Sequence, residues 1–199
     1  MKTIFIKHLP RLQRWRLVAA ASALLLLVSM GSVARAETFF TLRELLGSHF
    51  QNSAHVGYAR IHPDARLSAD IQRRTRSAAK AEYVVYVARS GERIDGYALF
   101  DQERGQHEMI DIATFFDASG HVTDVEVVAY REAYGDGIRS SRFRHQFVGR
   151  DASSSFSAGR DVDVVAGATL SSDAMTRAVA RATLVVRAAL QQRASVAHR

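Results

Sequence analysis

Between residues 83 and 130, four runs rich in β-branched and aromatic residues follow one another with little chain between them: 83–89, 94–101, 108–116 and 122–130. Ser90-Gly91 and Asp117-Ala118-Ser119-Gly120 are turn sequences joining them. Parallel neighbours would need a crossover of about a dozen residues or more. These connections are too short for that, so the runs predict an antiparallel meander of about four strands.

Helical patterns flank the meander. Residues 39–50 predict a short helix, and 51–66 read as a loop containing His62-Pro63-Asp64. Residues 68–80 predict a second helix, opened by Ser68 and rich in Ala, Gln and Arg. Beyond the strands come a glycine-punctuated loop at 132–138, a short helix at 141–148 and an irregular Ser-rich stretch at 151–160. The last element is the most regular. Met175, Ala178, Val179, Ala182, Val185, Val186, Ala189 and Leu190 recur at three- and four-residue steps, giving a long C-terminal helix with one apolar face. Arg177 and Arg181 are expected off that face. Helices and strands segregate along the chain, which makes the class α+β.

Residues 1–36 read as a secretory signal peptide rather than part of the fold. The first sixteen carry Lys2, Lys7, Arg11, Arg14 and Arg16 without an acid, an apolar run follows from Leu17, and Ala34-Arg35-Ala36 supplies small residues for cleavage before Glu37. The alternative is an uncleaved anchor, for which the run is at the short limit. The organisation predicted is a signal peptide at 1–36, an N-terminal helical region at 37–82, the main domain at 83–193 and a flexible tail at 194–199. The location expected is periplasmic or otherwise extracytoplasmic.

Removing the leader changes the charge reading. Residues 1–36 hold six of the 27 Lys and Arg and none of the 20 Asp and Glu, leaving 21 against 20. The formal charge of +7 is mostly a property of the leader, and nucleic-acid binding loses its compositional support. The chain has no cysteine, which excludes disulfides, iron–sulfur ligation and c-type haem attachment. Electron transfer by this chain would need an organic cofactor.

Chemistry concentrates in Asp163-Val164-Val165-Ala166-Gly167-Ala168-Thr169, followed by Leu170-Ser171-Ser172 and the long helix. A small-residue loop there sets a threonine hydroxyl at a helix N-terminus, where unpaired N–H groups and the helix dipole favour a phosphate. Taken alone the stretch also reads as an ordinary helix start, with Ser171 or Ser172 as N-cap, Asp173 in the first turn and Gly167 for its backbone freedom. A threonine hydroxyl is a weak nucleophile without an activating group, and no such group is adjacent in sequence.

The seven residues resemble the flavinylation motif of FMN-binding domains, in which Asp, two free positions, a small residue, Gly and Ala precede a Thr or Ser. Ala166 departs from the Ser or Thr common there but is still small. The resemblance extends over roughly residues 83–185. It includes Gly105-Gln106-His107-Glu108, Tyr130-Arg131-Glu132-Ala133-Tyr134-Gly135, Ile138-Arg139 and Arg142-Phe143-Arg144-His145-Gln146-Phe147-Val148-Gly149. The chain is similar to stand-alone exported FMN-binding domain proteins, to the FMN-bearing C subunit of sodium-translocating NADH:quinone reductase and to the G subunit of the Rnf complex.

The resemblance implies FMN joined to Thr169 by a phosphoester, placed there by a separate Mg²⁺-dependent FAD:protein FMN transferase. It implies an electron carrier or redox subunit rather than a stand-alone enzyme, and a membrane-associated redox partner. Asp163 would orient the acceptor or be read by the transferase, or else only bond nearby N–H groups. Ala166, Gly167, Ala168, Leu170 and Ser171 complete the motif, while Glu132, Tyr134 and Gly135 match a family loop near the flavin, where Tyr134 could stack on the ring or cap the core. Arg139, Arg142 and Arg144 could compensate the phosphodiester or form a solvated helix face. His145 could approach the flavin or be structural. His107, Glu108 and Asp111 superficially suggest a metal, but His107 and Glu108 point to opposite strand faces. His49, His55 and His62 lack helical ligand spacing. Two other classes stay open: a flavin-dependent reductase acting directly on a small substrate, and a cofactor-free exported binding module.

Overall fold

The computed structural model describes residues 37–197. The signal-peptide segment lies outside the described residues. In chain order the elements are β1 (Glu37–Thr38), α1 (Leu42–His49), β2 (His55–Ile61), α2 (Ala65–Thr75), β3 (Tyr83–Ser90), β4 (Arg93–Arg104), β5 (Met109–Asp117), β6 (Val122–Tyr130), a 3₁₀ turn (Asp136–Arg139), α3 (Ser141–His145) and α4 (Thr169–Ala197). The class is α+β, as the sequence predicts.

The meander β3-β4-β5-β6 is antiparallel throughout, and it sits inside a six-stranded sheet of order β1-β6-β5-β4-β3-β2. Two strands exceed the expected four. β2 occupies the stretch read as a loop, pairing with β3 from His55↔Arg89 to Ile61↔Tyr83. Its Gly57 and Ala59 are poor strand formers, and it lies at the sheet edge, where pairing rather than propensity decides. The 37–82 region is therefore partly strand. At the opposite edge Glu37 and Thr38 pair with Tyr130 and Ala129, and the Phe39 N–H donates to the Val128 carbonyl at 2.9 Å.

Each helix covers a defined face. α1 begins with a capping box, Thr41 accepting from the Glu44 N–H and the Glu44 carboxylate accepting from the Thr41 N–H. It buries Leu45 and Leu46 against Ala98, Ala113 and Phe115 on one side of the sheet. α2, capped by Asp64, and α4 cover the other side. Seven of the eight residues of the predicted α4 stripe are buried there, and Leu190 is partly buried. Each large side chain so buried contributes about 1.5–3 kcal/mol. α4 continues to Ala197, so most of the expected tail is helical. No described helix is long and apolar enough to cross a membrane.

Arg181 is not off the apolar face. Its side chain is 3% exposed and ion-paired to Asp101 at 2.5 Å and Glu103 at 2.7 Å, themselves 3% and 8% exposed. Burial opposes the guanidinium charge, but the two carboxylates outweigh it and raise its pKa. Lys80 also reaches Asp101, and Arg177 joins Glu103 to Asp173, which lies past the first turn of α4 rather than in it as the sequence suggested. A helix packed between a sheet and a second helix has no wide solvent face, so Arg177 and Arg181 meet carboxylates from β4 and Arg187 meets Asp70 of α2.

On the α1 side, the His49 ring stacks on Phe115 at 3.6 Å. Its Nε2 faces the Asp124 carboxylate at 3.0 Å and its Nδ1 the Leu45 carbonyl at 3.1 Å. Both nitrogens face acceptors, so only the imidazolium donates to both. Burial disfavours that charge, yet the hydrogen bonds and the charges of Asp124 and Glu126 prevail, and the pKa is raised. A raised folded pKa stabilises fully below the unfolded value of about 6.5 and loses that stability as pH rises through the folded value. Urea midpoints are accordingly expected to fall as pH rises above about 6.5, and His49→Gln to remove that component of the pH dependence.

Candidate functional site

Three segments meet at the N-terminal end of α4. The first is the loop before it. The Ala168 N–H donates to the Val165 carbonyl at 2.9 Å, closing a turn with Gly167 at φ 75° in its third position. That left-handed position is the one a type II turn reserves for glycine. The Ala168 carbonyl accepts from the Ser172 N–H at 2.8 Å, so Ala168 is the N-cap and Thr169 the first helical residue.

Neither serine caps the helix as the sequence suggested. Ser172 reaches back from inside the first turn, its Oγ accepting from the Val165 N–H at 3.1 Å. Ser171 is buried, with its Oγ 2.8 Å from the Tyr130 hydroxyl. An alanine cap offers no side-chain oxygen to the helix. The N–H groups of Thr169, Leu170 and Ser171 consequently have no protein acceptor among the described residues. The Thr169 side chain is exposed, and its hydroxyl has no partner among those residues.

The second segment leaves β6. The Tyr130 hydroxyl donates to the Tyr134 carbonyl at 2.6 Å while meeting Ser171, which ties the loop to α4. Burial, with the charges of Glu132 and Asp136, raises the Tyr130 pKa against the opposing Ser171 hydrogen bond. Gly135 has φ 96°, and a Cβ there would lie 2.6 Å from the Tyr130 hydroxyl and 2.7 Å from Ser171 Oγ. Gly135→Ala is expected to cost about 1–3 kcal/mol from strained backbone and overpacking, read as a lowered urea midpoint. Tyr134 is 85% exposed. The Glu132 carboxylate is spent on main-chain N–H groups. One of its oxygens accepts from the N–H groups of His107 and Glu108 at 2.7 and 3.0 Å, pinning the β4–β5 connection.

The third segment is α3 and the turn after it. Phe143 and Phe147 are buried and meet edge to face. Gln146 bonds the Asp163 main chain, accepting from its N–H at 2.7 Å and donating to its carbonyl at 3.3 Å. The Asp163 side chain is exposed, with no hydrogen bond or ion pair among the described residues. A cleft of about 300 Å³ lies between α3 and residues 163–165, floored by Phe143 and Val165 with Arg142 and Asp163 among its lining residues.

The three arginines divide. Arg144 points inward to the Val125 carbonyl at 2.6 Å and the Glu126 carboxylate at 2.5 Å. Arg139 lies 3.5 Å over the Phe39 ring. Arg142 is exposed and without an ion pair among the described residues, and His145 is exposed nearby in sequence. His107, Glu108 and Asp111 form no metal-binding group among the described residues. Asp111 is paired instead with Arg131 at 2.8 Å.

The structure therefore gathers Asp163, Ala166, Gly167, Ala168, Thr169, Leu170 and Ser171 with Tyr134 and Gly135, and directs the Glu132 carboxylate to the β4–β5 connection. Sequence reading gave Tyr130 and Gln146 no role beyond their place in the stretches of resemblance. Tyr130 is 41 positions from Ser171, and nothing in either segment signals their meeting. An exposed hydroxyl and unpaired N–H groups at a helix N-terminus fit a phosphate ester, and the exposed Tyr134 lies in the loop that Tyr130 ties to that helix. Residues 105–183 match the family model described as the FMN-binding domain, a range containing all three segments. No curated protein matches the chain.

Proposed function

We propose that this chain, a flavoprotein with an FMN-binding domain at residues 105–183, carries its FMN covalently on Thr169 and serves as an electron carrier outside the cytoplasm. The observation that supports attachment at Thr169 is a contrast among three neighbouring hydroxyls. Ser171 is buried against Tyr130 and Ser172 accepts from the Val165 N–H, whereas Thr169 is exposed and unengaged. Only its oxygen is open to a second protein.

Attachment is a phosphoryl transfer. An FAD:protein FMN transferase with Mg²⁺ breaks the pyrophosphate bond of FAD, forms the bond from phosphorus to Thr169 Oγ, and releases AMP; the hydroxyl proton leaves to a base. Among the described residues no base is bonded to the Thr169 hydroxyl, so the transferase supplies activation. The unpaired N–H groups of Leu170 and Ser171 would hold the charge kept by the diester, and Tyr134 would offer a ring for stacking.

When bound, the isoalloxazine supplies acceptance and donation of one or two electrons. The chain fixes its place and electrostatic surroundings: Tyr130 holds the 134–135 loop against α4, and Gly167 shapes the turn that presents Thr169. Removal of the leader near Ala36 would put the carrier in the periplasm beside a membrane-associated redox partner. A covalent link suits that location, because FMN lost there is not readily replaced. The reading is tested by incubating purified protein with the transferase, FAD and Mg²⁺ and running a denaturing gel. Flavin fluorescence in the protein band is expected; a dark band beside a fluorescent control substrate counts against it.

A further inference from the structure

We propose that Gln146 is a positioning residue for FMN attachment: it grips the Asp163 main chain from the end of α3 and so leaves the Asp163 carboxylate free for the attaching enzyme. This rests on the reading of Thr169 as the attachment point.

The grip is two-sided. Gln146 Oε1 accepts from the Asp163 N–H at 2.7 Å, and Nε2 donates to the Asp163 carbonyl at 3.3 Å. A neutral side-chain amide can do both to one residue without adding charge; a carboxylate could only accept and an ammonium only donate. Both ends are anchored in the core. Phe143 and Phe147 bracket Gln146, Val162 precedes Asp163, and all three are buried. The main chain at 163 cannot turn without withdrawing one of these side chains.

The consequence falls on the carboxylate. A loop aspartate ordinarily spends its oxygens on nearby N–H and hydroxyl groups. Asp151 does so with Ser153 and Ser154, and Asp161 with Ser155 and Arg160. At 163 the amide of another element satisfies the main chain, and the charge is left over at a cleft six residues before the acceptor threonine. A fixed, unspent carboxylate there is an acceptor for a partner's donors or its Mg²⁺.

The test is the rate of FMN transfer onto purified mature protein, followed by intact mass, with unfolding midpoints measured alongside. Gln146→Ala is expected to lower kcat/KM for the protein substrate about tenfold or more with little change in midpoint. Gln146→Glu keeps the acceptor but sets a carboxylate against the Asp163 carbonyl, and is expected to be slow also. It carries the test if the alanine variant fails to fold. Because Gln146 acts through Asp163, adding Gln146→Ala to Asp163→Asn should slow transfer no further. Wild-type rates in folded Gln146 variants, or multiplying losses in the double variant, would overturn the inference while leaving Thr169 as the attachment point. Failure of the wild-type protein to accept FMN from a transferase active on a control substrate would overturn both.

Discussion

Thr169→Ala is expected to yield a folded protein with no covalent flavin. The side chain is exposed and unengaged, so its removal is expected to change stability by no more than about 0.5 kcal/mol. Its loss leaves no accessible hydroxyl in the first turn of α4: Ser171 and Ser172 are both buried and bonded. The flavin signal of denatured protein should therefore vanish rather than move to a serine. Thr169→Ser restores an oxygen at the same backbone position and should regain attachment. Covalent flavin persisting in Thr169→Ala would place the acceptor elsewhere.

Arg181→Met is the most damaging single change expected for the fold. Removing the guanidinium strands Asp101 and Glu103 beneath α4, and an uncompensated buried charge costs about 3–5 kcal/mol. Lys80 relieves part of this at Asp101 and Arg177 part at Glu103, but both approach from more exposed positions. Replacing Arg181, Asp101 and Glu103 together with apolar residues of similar volume should recover most of the loss, because a buried ion cluster seldom surpasses packed hydrocarbon. Urea unfolding of the single and triple variants measures both. A triple variant no better than Arg181→Met would mean that the network, rather than its imbalance, sustains the fold.

The same network marks how far the sequence could be read. Residues 83–130 were legible because runs of β-branched and aromatic residues and tight turns agree on one topology. β2 was not, because His55-Val56-Gly57-Tyr58-Ala59-Arg60 becomes a strand only by pairing along β3. Arg181 was misplaced because periodicity identifies a stripe but not how much of a helix its neighbours enclose. A signal did exist: Asp101 and Glu103 lie two apart on the strand face that also carries Tyr97 and Leu99, and Arg177 and Arg181 lie one turn apart on the helix.

At the site, local sequence located Thr169 and its loop, and resemblance drew in the 132–135 segment. What neither conveyed is how side chains are spent. The cap is Ala168 rather than a serine, Glu132 secures the β4–β5 connection, and Gln146 holds Asp163. Those last two are contacts between segments 17 to 25 residues apart, set by packing rather than by spacing.

The most direct test of the account is the intact mass of the protein co-exported with an FAD:protein FMN transferase, taken after denaturation and followed by tryptic mapping. The account predicts a gain of one FMN less water, confined to the peptide of residues 161–177, which contains Thr169. An unmodified mass, with the transferase active on a control substrate, would contradict it.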